Sequence, residues 1–502
     1  MILAGARFWG ADGVEAVLVR DGRIVAVGGF RDLCTQAPSE KVRDLGGGFA
    51  VFGLSDAHGH LAMLGEAAEQ LDLRGFASAQ EVSARVREAP RRKGWLRGRA
   101  WSDAGWPEPP TREHLAEAAR GDKIYLEKLD SHAAWVSPAL LEAAGIRRET
   151  PDPPGGRIER GADGEPTGVL VDNAMAIVER FLPAPADDAL DARIRLAAQR
   201  CASVGLTCVH DAGLDAAMWK SLQRLEARGE LPIRVYGMER QLDPQSDAML
   251  ANGPISTKRL TLRCVKFFLD GALGSHGAAF FAPYADGQDG SGLLLESRRE
   301  LAHQLAKRMR QGFQVALHAI GDRANALALD AIADALAHTH ARDARPRIEH
   351  AQHLRLSDVP RFAQLGVIAS MQPSHHASDW LWAKPRLGPA RFPGAYAWRT
   401  LLHGGVPLAF GSDFPIETED VRHGLQSSIY RDISEEDPHE RLSGDEALRA
   451  FTLGAAWASF QENQVGLVAP GHRADLSVFQ GDLRTDPNAS KAVLTLLDGE
   501  PV

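Results

Sequence analysis

The chain has 502 residues, 44% of them hydrophobic and 25% charged, with a formal net charge of −9. That composition is ordinary for a globular protein, and the acidic balance argues against a nucleic-acid binder, which carries a basic excess. No apolar run approaches the ~18 residues of a membrane span, MILAGARFWG is no signal peptide, and the four cysteines show no CxxC spacing, so the expectation is a cytoplasmic protein with reduced thiols, no membrane and no nucleic-acid partner.

In chain order, Ala16 to Gly28 reads as two apolar runs joined by Asp21-Gly22, a hairpin signal because both turn positions tolerate positive φ. Asp475–Gln480, Ala492–Leu497 and a second Asp-Gly, Asp498-Gly499, give short strands near the other end. Neither piece can bury a core alone, so residues 1–50 and 464–502 are expected to form one small β-sandwich domain. Between them, eight short apolar runs alternate with helical stretches such as Ser297–Gln311 and Arg323–Ala337: Phe49–Leu54, Thr207–His210, Ile233–Met238, Cys264–Leu269, Val315–His318, Arg347–His350, Val367–Met371 and Pro407–Phe410. Alternation of this kind predicts an α/β chain with a TIM-like (β/α)8 barrel over residues 51–463. Residues 62–190, with Pro-rich turns and a strand-like Ile124–Leu129, are expected to form a large insertion after the first barrel strand.

Polar residues recur at the ends of these strands. His58-Gly59-His60 follows the first, and alternate residues of an extended segment project to one side, where two imidazoles can grip one ion. Lys266 lies inside VKFFLD, His318 ends QVALH, His350 ends RIEH and Asp413 follows AFGS. Barrel active sites sit at this end of the strands. A lysine suits a metal site if its amine adds carbon dioxide, because the carbamate is an anion whose two oxygens can bridge two ions.

At these positions the chain resembles the amidohydrolase superfamily, in its amidohydrolase 3 (YtcJ-like) branch, which includes N-substituted formamide deformylase. The matching segments are SDAHGH (55–60), DSHAAW (130–135), GGRIERGADGEPTGVL (155–170), GLTCVHDAG (205–213), VKFFLDGALGS (265–275), ALHAIGDRA (316–324), RIEHAQ (347–352), GSDFP (411–415) and VAPGHRADLSVF (468–479). The resemblance implies two divalent ions, zinc by default: His58, His60 and Asp413 on the first, His318 and His350 on the second, and carboxylated Lys266 with a hydroxide between them. Two cations lower the pKa of such a water, and Asp413 would serve as general base and then general acid. The implied reaction is hydrolysis of a non-peptide C–N bond, an amide or an N-acyl or N-formyl amine. The alternatives are an ester or cyclic-amide hydrolase or a deaminase on the same site, and an inactive binding protein.

Three positions depart from the family pattern. Phe52 precedes Gly53 where Pro is usual. Asp130-Ser131-His132 replaces Asp-Gly-His. His276 stands where relatives carry an Arg that could bind an anionic group. His132, His276, His375 and Trp101 are the candidate substrate contacts for a small molecule. Trp101 is one of four insertion tryptophans, with Trp95, Trp106 and Trp135, that could wall a pocket. His353 is expected to support the ligands by hydrogen bonding, His376 to share the pocket with His375, and His210, Asp211 and Asp270 to make structural hydrogen bonds. Asp322-Arg323 is expected to cap the following helix. A homodimer is the default oligomeric state for a soluble enzyme.

Overall fold

The computed structural model describes residues 1–91, 93–241, 245–287, 290–339, 343–431 and 438–502. Its centre is a parallel sheet of eight strands, β1 (Ser55–Gly59), β2 (Cys208–Leu214), β3 (Arg234–Arg240), β4 (Leu260–Phe268), β5 (Gln314–Ala319), β6 (Arg347–His350), β7 (Ile368–Met371) and β8 (Leu408–Phe410). They neighbour one another in chain order. β5 and β6 are buried at every position, as expected for parallel strands covered on both faces. β1 and β8 approach closure through a parallel bridge between Gly59 and Phe414. There the Asp413 N–H donates to the His58 carbonyl (2.7 Å) and the His60 N–H to the Phe414 carbonyl (2.9 Å).

The first barrel strand is not the one expected. Phe49–Phe52 ends a long strand, Val42–Phe52, that pairs antiparallel with Leu476–Phe479 outside the barrel. The barrel begins instead with SDAHG, whose polar residues are buried throughout. Asp56 is accommodated because its carboxylate accepts from the Ser412 hydroxyl (2.6 Å) and from the backbone N–H groups of His58 and Ser412.

Both ends of the chain share one seven-stranded sheet, in the spatial order 500–501, 491–497, 476–480, 42–52, 2–8, 16–20, 23–28. Hydrogen bonds link all seven strands in one continuous order, and strands from both ends of the chain contribute to one apolar core. Ile2–Phe8 feeds two cores: Leu3 packs with Leu476 and Leu496 while Ile2 and Ala4 pack with Leu33 of the helix Phe30–Gln36, and a register shift between Ala4 and Ala6 brings Phe8 onto the same core as Leu3. Both Asp-Gly turns hold positive φ at each position, 50° and 73° at Asp21-Gly22 and 53° and 82° at Asp498-Gly499.

Within the insertion, six strands (156–160, 166–172, 133–136, 123–128, 95–101 and 71–72) form a mixed sheet with its own apolar core. The two helices expected downstream run Arg298–Arg310, capped by Ser297, and Asp322–Thr339. Asp322 lies in the first turn of the latter and accepts from the Phe281 N–H (2.9 Å), so it ties down a loop rather than capping from outside. No helix among the described residues is long and apolar enough to cross a membrane.

Candidate metal centre

A cavity of about 390 Å³ opens at the C-terminal ends of the barrel strands. Its lining includes all six candidate ligands: His58 from β1, His60 just beyond it, Lys266 from β4, His318 from β5, His350 from the end of β6 and Asp413 three residues after β8. His350 and Asp413 sit at φ +72° and +62°, where a side chain other than glycine's is strained. The surrounding structure holds them there, and both side chains reach the cavity.

The imidazoles are oriented from behind. His58 Nδ1 lies 2.6 Å from Glu349, His350 Nδ1 2.8 Å from the Gln372 amide oxygen, His375 Nδ1 3.2 Å from Glu417 and His132 Nδ1 2.7 Å from Asp172. Fixing Nδ1–H on an acceptor leaves Nε2 as the lone-pair nitrogen, the usual arrangement behind a metal-bound histidine. Glu349 is itself clamped by Arg347 at 2.7 Å. Burial alone would raise the Glu349 pKa, but the Arg347 guanidinium and His58 hold it well below the carboxylate range.

Burial lowers the His58 pKa to about 4, with the Lys266 charge adding to the effect. Burial also pushes His318 and His350 well below the usual histidine value, helped by His350 and by His58 respectively. All three are thus neutral near pH 7, the form that binds a cation. Lys266 is lowered to about 8, again by burial. Asp413 is held well below its ordinary value: burial opposes this, but the surrounding His58, His375 and His60 outweigh it.

Two observations test whether these residues fit metal ions. The buried His318 Nε2 has no hydrogen-bond partner; its nearest acid oxygen, on Asp270, is 3.6 Å away. A buried nitrogen left this way costs free energy that a ligand bond would recover. In addition, the donor atoms of His58, His60 and Asp413 lie within 4.8 Å of one another, as do those of His350, His375 and Asp413. The donor set fits.

Several expected contacts lie elsewhere. Trp101 is 1% exposed in the insertion core, its indole N–H on the Leu126 carbonyl (2.8 Å), and none of the four insertion tryptophans lines the cavity. His276 is turned away onto Asp286 (2.8 Å) and Tyr284. His353 makes no hydrogen bond to the ligands; both its nitrogens are buried without partners, against Phe280 and Tyr396. His376 packs on Trp380, Tyr396 and Trp398 rather than beside His375. His132 does reach the cavity. Ser131 takes the left-handed φ (+56°) that glycine would supply there, so the backbone path is kept. Burial lowers the His132 pKa, but the Asp172 hydrogen bond and charge outweigh it and the net shift is upward.

His210, Asp211 and Asp270 are structural. His210 meets Arg347 at 3.0 Å, Asp211 accepts from the Leu61 N–H, and Asp270 accepts from the backbone N–H groups of Ala279, Ile320 and Gly321 at 2.8–3.0 Å.

Cavity residues that sequence reasoning missed include Asp379, Trp382 and Arg386 of the helix Pro373–Leu387, which also carries the expected contact His375. His375, Asp379, Trp382 and Arg386 line the cavity, spaced four, three and four residues apart on one helix face. The opposite series, His376, Trp380, Ala383 and Leu387, is buried. Reading helical periodicity onward from His375 would have separated the two histidines.

Known proteins resemble the chain along most of its length. Residues 41–502 match the family model described as "Amidohydrolase family", and residues 16–39 one described as an imidazolonepropionase-like composite domain of bacteria. The chain is 32% identical over 491 residues to the putative amidohydrolase YtcJ of Bacillus subtilis (strain 168), covering 94% of this chain and 92% of the relative. It is 28% identical over 497 residues to the N-substituted formamide deformylase of Arthrobacter pascens, covering 93% and 90%. Among solved structures, an uncharacterized metal-dependent hydrolase from Pyrococcus furiosus is similar with a TM-score of 0.77 at 27% identity, covering 96% of this chain and 99% of that one.

Proposed function

The chain belongs to the amidohydrolase family, and from that premise we propose that it is a metal-dependent hydrolase of non-peptide C–N bonds, acting on N-acyl or N-formyl amines. One observation carries this reading: six side chains of ligand chemistry, from five different strand ends, line one cavity. The cavity volume suits a small molecule. The name of the formamide deformylase relative supports an amide carbonyl as the point of attack.

His58, His60 and Asp413 would hold one ion, and His318, His350 and Lys266 would serve the second. When bound, such ions lower the pKa of water and polarise a carbonyl. Lys266, lowered to about 8, has a share of neutral amine at neutral pH. That amine can attack carbon dioxide and lose a proton, leaving the carbamate anion that two cations need. Asp413 is ionised throughout the physiological range, so it accepts the proton of the attacking water and returns it to the leaving nitrogen. His132 is held by Asp172 through Nδ1, and because its pKa is raised it can carry a second proton, so that its Nε2–H donates to the substrate's carbonyl oxygen.

The test is turnover of N-formyl and N-acyl amines and matched esters by wild type and Asp413→Asn, each with its metal content measured. Loss of general acid–base catalysis costs about 10²- to 10⁴-fold. The amides should suffer more than the esters, because an amine leaves only when protonated. Near-native amide rates in Asp413→Asn would sink the mechanism, and a wild type that hydrolyses only esters would sink the substrate class.

A further inference from the structure

Resting on the metal-hydrolase reading above, we propose that His375 is a metal ligand, forming with His350 and Asp413 a second triad that meets the first through the Asp413 carboxylate. The two oxygens of Asp413 face different histidines. Oδ1 lies 3.1 Å from His60 Nε2 and 3.6 Å from His58 Nε2; Oδ2 lies 3.3 Å from His375 Nε2. Tetrahedral ligands held 2.0–2.2 Å from zinc stand roughly 3.3–3.6 Å apart, a spacing that the His58 and His375 separations match and the His60 separation falls slightly short of. The His375–Asp413 contact is within hydrogen-bond reach at 3.3 Å, but longer than the 2.6 Å between His58 and Glu349 and than the roughly 2.7–2.9 Å of a charge-assisted bond.

The back of the ring agrees. His375 Nδ1 faces Glu417 at 3.2 Å, as His58 Nδ1 faces Glu349 and His350 Nδ1 faces Gln372. Three imidazoles thus share one arrangement, with Nδ1 on an acceptor and Nε2 toward the Asp413 side of the cavity. His375 comes from the first turn of the helix after β7, a barrel position that contributes nothing to the ligand set implied by sequence resemblance. His318 lies outside both triads, its Nε2 nearest Asp270 among the acids. On this assignment Asp413 would offer one oxygen to each ion, and His375 would join His318, His350 and Lys266 as a ligand of the second.

The experiment uses wild type, His375→Gln and His375→Ala, stripped with chelator and reloaded with zinc and bicarbonate. Metal per chain is counted by elemental analysis, and the absorption of the cobalt-loaded proteins is recorded. Gln can still donate an amide N–H to Asp413 but is a poor metal ligand. If His375 only positioned Asp413, His375→Gln would keep both ions. The expected result is close to two ions in wild type, and in both variants the loss of one ion or at least tenfold weaker retention, with altered cobalt bands. Melting temperatures of the stripped proteins show which variants are folded, and zinc should raise the wild-type value more than a variant's. Two ions and a wild-type cobalt spectrum in a folded variant would overturn the His375 assignment alone. A wild type that binds no metal would overturn both it and the hydrolase reading.

Discussion

At the scale of single residues, position along a strand was the informative signal. His58, His318, His350 and Asp413 could be read from the sequence because each follows or ends an apolar run, and a parallel barrel turns every such end to one cavity. Trp101 and His276 misled because residue type alone does not fix direction: an indole in an inserted sheet is claimed by that sheet's core, and His276 found a carboxylate in Asp286. Away from the cavity, Asp191 shows the same dependence on neighbours. It accepts from Ser221 at 2.6 Å and from the guanidinium groups of Arg224 and Arg228, locking the helix Asp187–Ser203 to Ala216–Ala227. Hydrogen bonds from Arg224 are the main reason its pKa lies far below the carboxylate range; burial opposes them, and Ser221 and Arg228 add to them. A depressed folded-state pKa gives stability that is complete above the ordinary value near ~4 and is lost as pH falls below it. Asp191→Asn should therefore lower the urea midpoint most at pH 6 and somewhat less at pH 3, where the folded-state carboxylate is still ionised while the unfolded one is mostly protonated. An equal difference at both values would contradict this account.

At the scale of elements, seven of the eight barrel strands stood out as apolar runs, and the exception is instructive. β1 carries Asp56 and His58, so its burial depends on polar groups being satisfied rather than on apolarity, and only the partner strand supplies the Ser412 hydroxyl and N–H that do so. This contact leaves no room. A Cβ at Gly411 would collide with the His58 backbone nitrogen and the Asp56 carboxylate, and one at Gly59 with the Phe414 ring. Gly411→Ala should cost about 1–3 kcal/mol, the usual penalty for overpacking a filled site, and should weaken metal retention by displacing His58. Urea unfolding of the stripped protein and metal content after reloading are the two readouts; a stable variant with full metal content would show that the β1–β8 seam can give way. The helix Pro373–Leu387 teaches a complementary lesson. Its two faces were distinguishable only once it was known to be a helix, because PSHHASDWLWAK read as a loop leaves His375 and His376 equivalent.

At the scale of the whole molecule, the sequence indicated short strands at both ends but not how many sheets they make, since pairing is decided by partners hundreds of residues away. The terminal sheet is tied to the barrel by Arg234 of β3, which is 4% exposed. It bonds Asp475 through two nitrogens, at 2.6 and 3.0 Å, and also reaches Asp498. Removing one partner of a buried pair strands the other charge, at a cost of about 3–5 kcal/mol. Asp475→Ala should lower the urea midpoint accordingly and expose the 476–497 hairpin to proteolysis, while Arg234→Met with Asp475→Leu should recover much of the loss. An Asp475→Ala protein of native stability would mean that apolar packing alone joins the two parts. The shared sheet also has a consequence for how the protein is made. Among the described residues, Leu476–Gln480 is the only strand that pairs with Phe49–Phe52 on that side. At roughly 5–20 residues per second, the early strands leave the ribosome tens of seconds before their partner exists. Until then they present an open edge, Phe49 to Phe52, to any passing strand. Nascent chains are thus most prone to aggregate just before synthesis reaches residue 476, and the emergence of the 476–497 hairpin ends the hazard.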